Sequence, residues 1–196
     1  EEGLRGGLDK IVETIKSHKW WIAQIQIEPT PAARCLVGTQ GDVPVIPVGA
    51  GEHLDHVDRG IRSVKEIVRC TKSALPFKLI PSLTIDLVTF AVSRKNCRRG
   101  TTKLSVVAPK VEFTGRRIHK RDFVGGFGTY IEAYKGTSNT NKIRTHSAIL
   151  LYPMHNSSGS WRAYDLITKR RIIKSNFVVM PVTQLIIDTV NGIADS

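Results

Sequence analysis

GEHLDHVDRGIRSVKEIVRCTK, residues 51–72, is the stretch on which the reading of this chain turns. Val57, Ile61, Val64 and Val68 recur at spacings of four, three and four, which a helix of 3.6 residues per turn gathers into one apolar stripe. About a quarter-turn round the same helix, Asp58, Arg62, Lys65, Arg69 and Lys72 repeat that rhythm as a second stripe. One carboxylate therefore heads a column of four cations, a face suited to a phosphate backbone beside a metal-binding group. Taken alone, the pattern is more often a solvated helix face, so the rest of the chain has to decide.

Composition narrows the choice. The 196 residues suffice for one compact domain or two small ones, and 41% hydrophobic content supports a core rather than a disordered tail. Twenty-nine Lys and Arg against seventeen Asp and Glu leave a formal charge of +12, which favours a polyanionic partner: nucleic acid first, an anionic membrane surface second. Apolar runs stay well short of a membrane span, and EEGLRGG at the start is unlike a signal peptide, so the expectation is a soluble, intracellular protein without membrane attachment. Cys35, Cys70 and Cys97 are scattered and odd in number, which reads as neither a disulfide framework nor a four-cysteine zinc site. The sequon at Asn156, Ser157 and Ser158 reads as a turn.

Taken in order, Leu8, Ile11, Val12 and Ile15 predict a short amphipathic helix over residues 7–16, and the alternation in WIAQIQI, residues 21–27, predicts a strand. Prolines at 29, 31, 44 and 47 and glycines at 38, 41, 49 and 51 make residues 28–51 an irregular connection, long for a compact domain. After the 51–72 helix comes a proline-bounded turn to Pro81. A second helix then starts at Ser82, a good N-cap residue, and runs to about Arg94, with apolar residues round most of its circumference and so expected to be buried. Arg94, Lys95, Arg98 and Arg99 follow its C-terminus. DNA backbone contact or a nuclear-import signal stands there against simple helix capping and solubility. Residues 100–126 read as a linker with a further basic run that includes Arg116 and Arg117.

From Phe127 the texture turns to β: YIEAY (130–134), AILLY (148–152), SWRAYDL (160–166) and RIIKSNF (171–177) are short strands separated by turn-rich segments, which predicts a small barrel or curled sheet. Leu185, Ile186, Ile187 and Val190 suggest a closing helix. Familiar catalytic patterns are missing from the linear sequence. The glycines at 125, 126 and 128 precede a strand rather than a helix, so they form no phosphate-cradling loop. His53 and His56 have zinc-like spacing without accompanying ligands, and no Ser, His and Asp pattern stands out as a nucleophile system.

HLDHVDRGIRSVKEIVR, residues 53–69, resembles the helix of copia-type retrotransposon integrases that carries the third acidic residue of their D,D,E active site. The likeness continues through LPF (75–77), DLVTFAVSRKN (86–96), APKVEFTG (108–115), GFGTY (126–130), Arg144 and Thr145, AILLYP (148–153), NSSGSW (156–161) and SNFVVMP (175–181). Order and spacing across residues 52–183 carry the resemblance more than any one piece.

The resemblance implies an α+β chain: a truncated ribonuclease-H-like integrase core, mainly its late helices, followed by a small antiparallel β-barrel. It divides the sequence into a poorly matching remnant (1–51), core helices (52–100), a basic linker (101–125), the barrel (126–183) and a tail or short helix (184–196). In that family three carboxylates hold two Mg²⁺ ions that activate water or a 3′-hydroxyl for attack on a phosphodiester. Asp58 falls on the third carboxylate position, where Glu is usual, and is the expected catalytic and metal residue only if the other two are supplied. Arg62 and Lys65 fall where retroviral relatives grip the DNA end. Residues 1–5 resemble the stretch just beyond the second Asp, which places the first two ligands upstream of this sequence.

The expectation is therefore a nucleic-acid-binding piece of a retrotransposon polyprotein, catalytically incomplete, without Mg²⁺ of its own, and nuclear. Its partners would be DNA, the rest of the polyprotein or a second integrase chain. Arg62, Lys65, Arg69, Lys72, Arg94, Lys95, Arg98, Arg99, Arg116 and Arg117 are the expected phosphate contacts, which read no base sequence. The alternatives are a host-adopted protein or chromatin interaction module, and an active Mg²⁺-dependent integrase with carboxylates from another chain or from Glu1, Glu52 and Asp55. A truncated core also predicts an exposed apolar stripe on the 53–72 helix.

Overall fold

A computed structural model of the chain describes residues 2–28, 30, 33, 36–40, 42–49, 55–99, 107–136 and 143–195. It is an α+β structure that divides into two compact units, residues 1–61 and 62–196.

In the first unit the predicted helix is longer than its apolar pattern, α1 spanning Glu2–Ser17. Val12 is buried, whereas Ile11 is 57% exposed, so the covered face is narrow. The strand expected at 21–27 contracts to β1, Ile25–Ile27, and Trp21 is exposed. The expected irregular connection contains two strands, β2 (Gly38–Gln40) and β3 (Val43–Pro47). β3 is central, parallel to β1 and antiparallel to β2. Prolines argue against a central strand because they lack the ladder donor. Here period-2 burial prevails: Val43 and Val45 each retain 2% of their surface while Pro44 between them is exposed.

Helix α2 spans Asp55–Ser73, as its two stripes require. Its apolar stripe is exposed at Val57 and Ile61, half-buried at Val64, and at Val68 packs on the core of the second unit. The predicted exposed face is thus the first part of the helix alone.

The second unit holds the larger core. A 3-10 turn at Pro81–Leu83 leads into α3, Thr84–Asn96. Ser82 lies within that turn, and the N-cap position falls to Leu83 without a side-chain cap. Burial all round α3 was the expectation; instead Leu87, Phe90 and Ala91 are buried while Ile85, Val88 and Val92 face out. The reason is that one sheet covers one side of α3, which packs on β5. The supposed linker also contains structure: a short helix α4, Pro109–Thr114, begun by proline and ended by Gly115 at φ 68°, and a 3-10 turn, Lys120–Phe123.

Five antiparallel strands follow: β4 (Tyr130–Tyr134), β5 (Thr145–Pro153), β6 (Trp161–Asp165), β7 (Arg171–Lys174) and β8 (Phe177–Val179), in the order β7-β6-β5-β4-β8. The sheet is open among the described residues, with β7 and β8 as its edges, rather than the closed barrel expected. It is nevertheless curled. Only Ser175 and Asn176 connect the two edges, a reach of at most about 11 Å. Asn176 O accepts from Tyr134 N at 3.2 Å, and Lys174 Nζ donates to Tyr134 O at 2.8 Å.

Ile131, Ala148, Ile149, Leu150, Leu151 and Trp161 are essentially inaccessible and meet Leu83, Leu87 and Phe90 in one cluster. Gly128, at φ 83°, is required where the chain enters the sheet: a Cβ there would lie 2.4 Å from the Leu75 side chain. The closing helix α5, Gln184–Ala194, inserts Val190 into the core. Asn191 Oδ1 accepts from Lys78 N at 2.7 Å, and Asp195 pairs with Lys78 at 2.9 Å.

Candidate nucleic-acid interface

Arg62, Lys65, Arg69 and Lys72 are all exposed on α2, in the part of the helix that belongs to the second unit. At about 1.5 Å rise per residue, steps of three and four place one cation every ~5 Å along one face. Arg69 Nη1 donates to Glu66 Oε1 at 3.0 Å, and both side chains remain mostly exposed. Such a pair is weak and exchanges readily for another anion. Nothing in this geometry reads a base; it offers charge at a spacing suited to a phosphate chain.

The second basic cluster divides. Arg94, expected to face DNA, is turned inward. Its guanidinium donates to Asp122 O at 3.1 Å and to Gly125 O at 2.5 Å, and lies 4.8 Å from the Phe90 ring centre, 4.7 Å from Phe123 and 5.8 Å from Trp161. Burial lowers its pKa, while the Cys97 and Asp122 side chains work against that shift. The carbonyls and rings around it form a preorganised cation socket. Its apolar surroundings come from residues far apart in sequence, which is why the linear run RKNCRR concealed its role. Lys95 is half-buried, and Arg98 and Arg99 are exposed.

Arg116 and Arg117 are exposed after α4, as are Lys120 and Arg121. Arg121 also has a structural part: its backbone carbonyl accepts from Trp161 Nε1 at 2.9 Å, and its stem packs so closely on Gly159 that a Cβ there would meet it at 2.6 Å. Asp58 is exposed one helical turn before Arg62. Glu1, Glu52, His53 and the side chains of Asp55 and His56 lie outside the described residues. Among the described residues no three His, Cys, Asp or Glu side chains gather as a metal site.

Sequence reasoning missed a part-buried polar cluster assembled from four separate segments. Ser93 Oγ lies 2.6 Å from His155 Nε2; His155 Nδ1 lies 3.3 Å from Asp122 Oδ2; Lys110 Nζ contacts His155 Nδ1 and lies 3.4 Å from Asp122 Oδ2. Burial pushes the Asp122 carboxyl up, but His155, Lys110 and the His119 backbone N–H together leave it below its ordinary value. For His155, burial and Lys110 depress the pKa, outweighing Asp122. Separations of 12 to 62 residues carry no linear signal for this arrangement.

A second such group is Asp165, fully inaccessible. Its Oδ1 accepts from Ile167 N at 2.8 Å and Thr168 N at 3.1 Å, and its Oδ2 lies 2.8 Å from His146 Nδ1. Burial raises its pKa, and the Thr168 and Ile167 bonds with His146 reverse that to a net lowering. It ties the β6–β7 turn, where Lys169 has φ 54°.

The sequence matches no protein-family model, and comparison with curated proteins finds no match. No helix among the described residues is long and apolar enough to cross a membrane.

Proposed function

We propose that this chain binds nucleic acid through its phosphate backbone, and that it derives from a copia-type integrase: the late helices of the ribonuclease-H-like core followed by the curled sheet. The observation that carries the reading is the exposed column Arg62, Lys65, Arg69 and Lys72 on one helix of a chain with charge +12. Arg98, Arg99, Arg116 and Arg117 add exposed positive charge elsewhere in the same unit. Binding is independent of base sequence, because these groups address phosphates. Asp58 heads the column as the position of the integrase's third carboxylate, and DNA strand transfer is not an activity of the described residues by themselves.

Fluorescence anisotropy with a short duplex of arbitrary sequence tests this. Affinity should fall by ~10³-fold or more between about 50 and 200 mM salt, as six or more phosphate contacts require. Absent or salt-insensitive binding would remove nucleic acid from the account.

A further inference from the structure

Residues 94–124 carry ten Lys and Arg against two carboxylates, Glu112 and Asp122. Asp122 is only 4% exposed and already engaged by Lys110 and His155, so it offsets little of that charge at the surface. Arg94 joins the two ends of the stretch. Its guanidinium donates to Asp122 O and Gly125 O, the carbonyls that bracket Phe123 and Val124, and so seats the Lys120–Phe123 turn against the end of α3. Arg98, four residues beyond Arg94, is exposed and near enough for its charge to act on that guanidinium. Lys120 and Arg121 are exposed in the turn, and Arg116 and Arg117 in the segment that leads to it.

The same turn presents an aromatic ring. Phe123 is 50% exposed and Val124 beside it 49%. The Arg94 guanidinium lies over the Phe123 ring, 4.7 Å from its centre, and is itself fixed by the two carbonyls and by the Phe90 and Trp161 rings. One face of Phe123 is therefore filled by an immobilised cation, while half of the side chain stays open to a partner. A single exposed apolar side chain is ordinary on a protein surface. This one is clamped from behind and shares its turn with Lys120 and Arg121.

We propose that Phe123 is a stacking platform for an unpaired base of single-stranded nucleic acid, whose phosphates are held by Arg98, Arg116, Arg117, Lys120 and Arg121. The inference rests on the nucleic-acid reading above and narrows it to a second surface and a kind of strand. Cations in this arrangement suit a sugar-phosphate chain, and an aromatic face beside them suits a base. In a duplex each base is covered on both faces by its neighbours, so only an unpaired base can lie on a ring at the protein surface. Stacking tolerates any base because every base has a π face, in keeping with phosphate contacts that read no sequence. Arg94 already immobilises the ring, so little ordering remains to be done on binding.

The test is fluorescence anisotropy of the full chain with three labelled ligands of equal length: oligothymidylate, an abasic deoxyribose-phosphate strand, and a duplex. Wild type should bind oligothymidylate at least about five-fold more tightly than the abasic strand, the gain from one stacked base. Phe123→Leu keeps an apolar side chain without a π face. It should lose that advantage while the slope of log K against log salt, and the affinities for the abasic strand and the duplex, stay unchanged. An iodouracil-substituted strand irradiated on the wild-type chain should cross-link at Phe123 by mass spectrometry, a readout that holds even where Phe123→Leu unfolds. Equal wild-type affinities for the thymidylate and abasic strands, a cross-link that avoids Phe123, or a Phe123→Leu variant weakened alike for all three ligands overturns the inference and leaves salt-dependent duplex binding standing. Absence of binding to all three ligands in wild type removes the phosphate reading beneath it as well.

Discussion

Arg94 and the four cations of α2 carry the same charge on helical faces and have opposite fates. Arg62, Lys65, Arg69 and Lys72 stand in solvent, while Arg94 is held by two carbonyls and three aromatic rings. The difference lies in what tertiary structure places opposite each side chain. A cation already satisfied inside the protein holds segments together; a cation in water is available to a partner. Counting basic residues along the sequence merges these two roles, and the structure separates them.

The contrast can be broken from the buried side first. Trp161→Ala removes a fully buried ring that forms part of the Arg94 socket and is tied to Arg121 O. It should cost about 3–5 kcal/mol in urea unfolding. Arg94→Met keeps much of the stem but leaves the Asp122 and Gly125 carbonyls without their donor, and should cost about 2–3 kcal/mol. Neither variant, where folded, should change the salt dependence of DNA binding. A stable Arg94→Met protein with weakened DNA affinity would place Arg94 among the phosphate contacts after all.

Carboxylates show the same division. Asp165 is inaccessible and its pKa is held down by the Thr168 and Ile167 bonds and His146, whereas Asp58 is exposed. A depressed folded-state pKa means that Asp165 contributes stability above its unfolded-state pKa, and that this contribution is lost as pH falls through the folded value. Asp165→Asn should therefore be less stable than wild type at pH 7, with the difference shrinking in acid as the wild-type carboxylate protonates. Asp58→Asn, at an exposed position, should cost no more than about 1 kcal/mol. Chemical denaturation at pH 7 and again in acid checks both.

The parts of this molecule legible in sequence are those whose signal is local. The stripes of 51–72 marked α2, and the short apolar and aromatic runs YIEAY and AILLY between turn-rich segments marked β4 and the middle of β5, because these signals lie within a few positions of each other. β3 was obscured by Pro44 and Pro47, whose local message opposed the burial of Val43 and Val45. The one-sided burial of α3 was hidden because Ile85, Val88 and Val92 are apolar yet face outward. For the candidate interface, the α2 column was visible as spacing. Arg94 could not be told from its neighbours Lys95, Arg98 and Arg99, since Phe123, Gly125 and Trp161 arrive from elsewhere in the chain. The Ser93, His155 and Asp122 grouping depends entirely on packing among α3, a 3-10 turn and the β5–β6 connection.

A set of exposed changes with small expected effects on stability gives the most direct test of phosphate binding by α2. Replacing Arg62, Lys65 and Arg69 together by alanine should shift stability by no more than about 0.5 kcal/mol per site. The measurement is a salt titration of duplex binding by wild type, this triple variant and Arg94→Met. Lower affinity and a slope of log K against log salt shallower by about 2.7 are expected for the triple variant, since each lost phosphate contact removes ~0.9. An unchanged slope is expected for Arg94→Met. Equal slopes and affinities for wild type and the triple variant would show that the α2 column is only a solvated face.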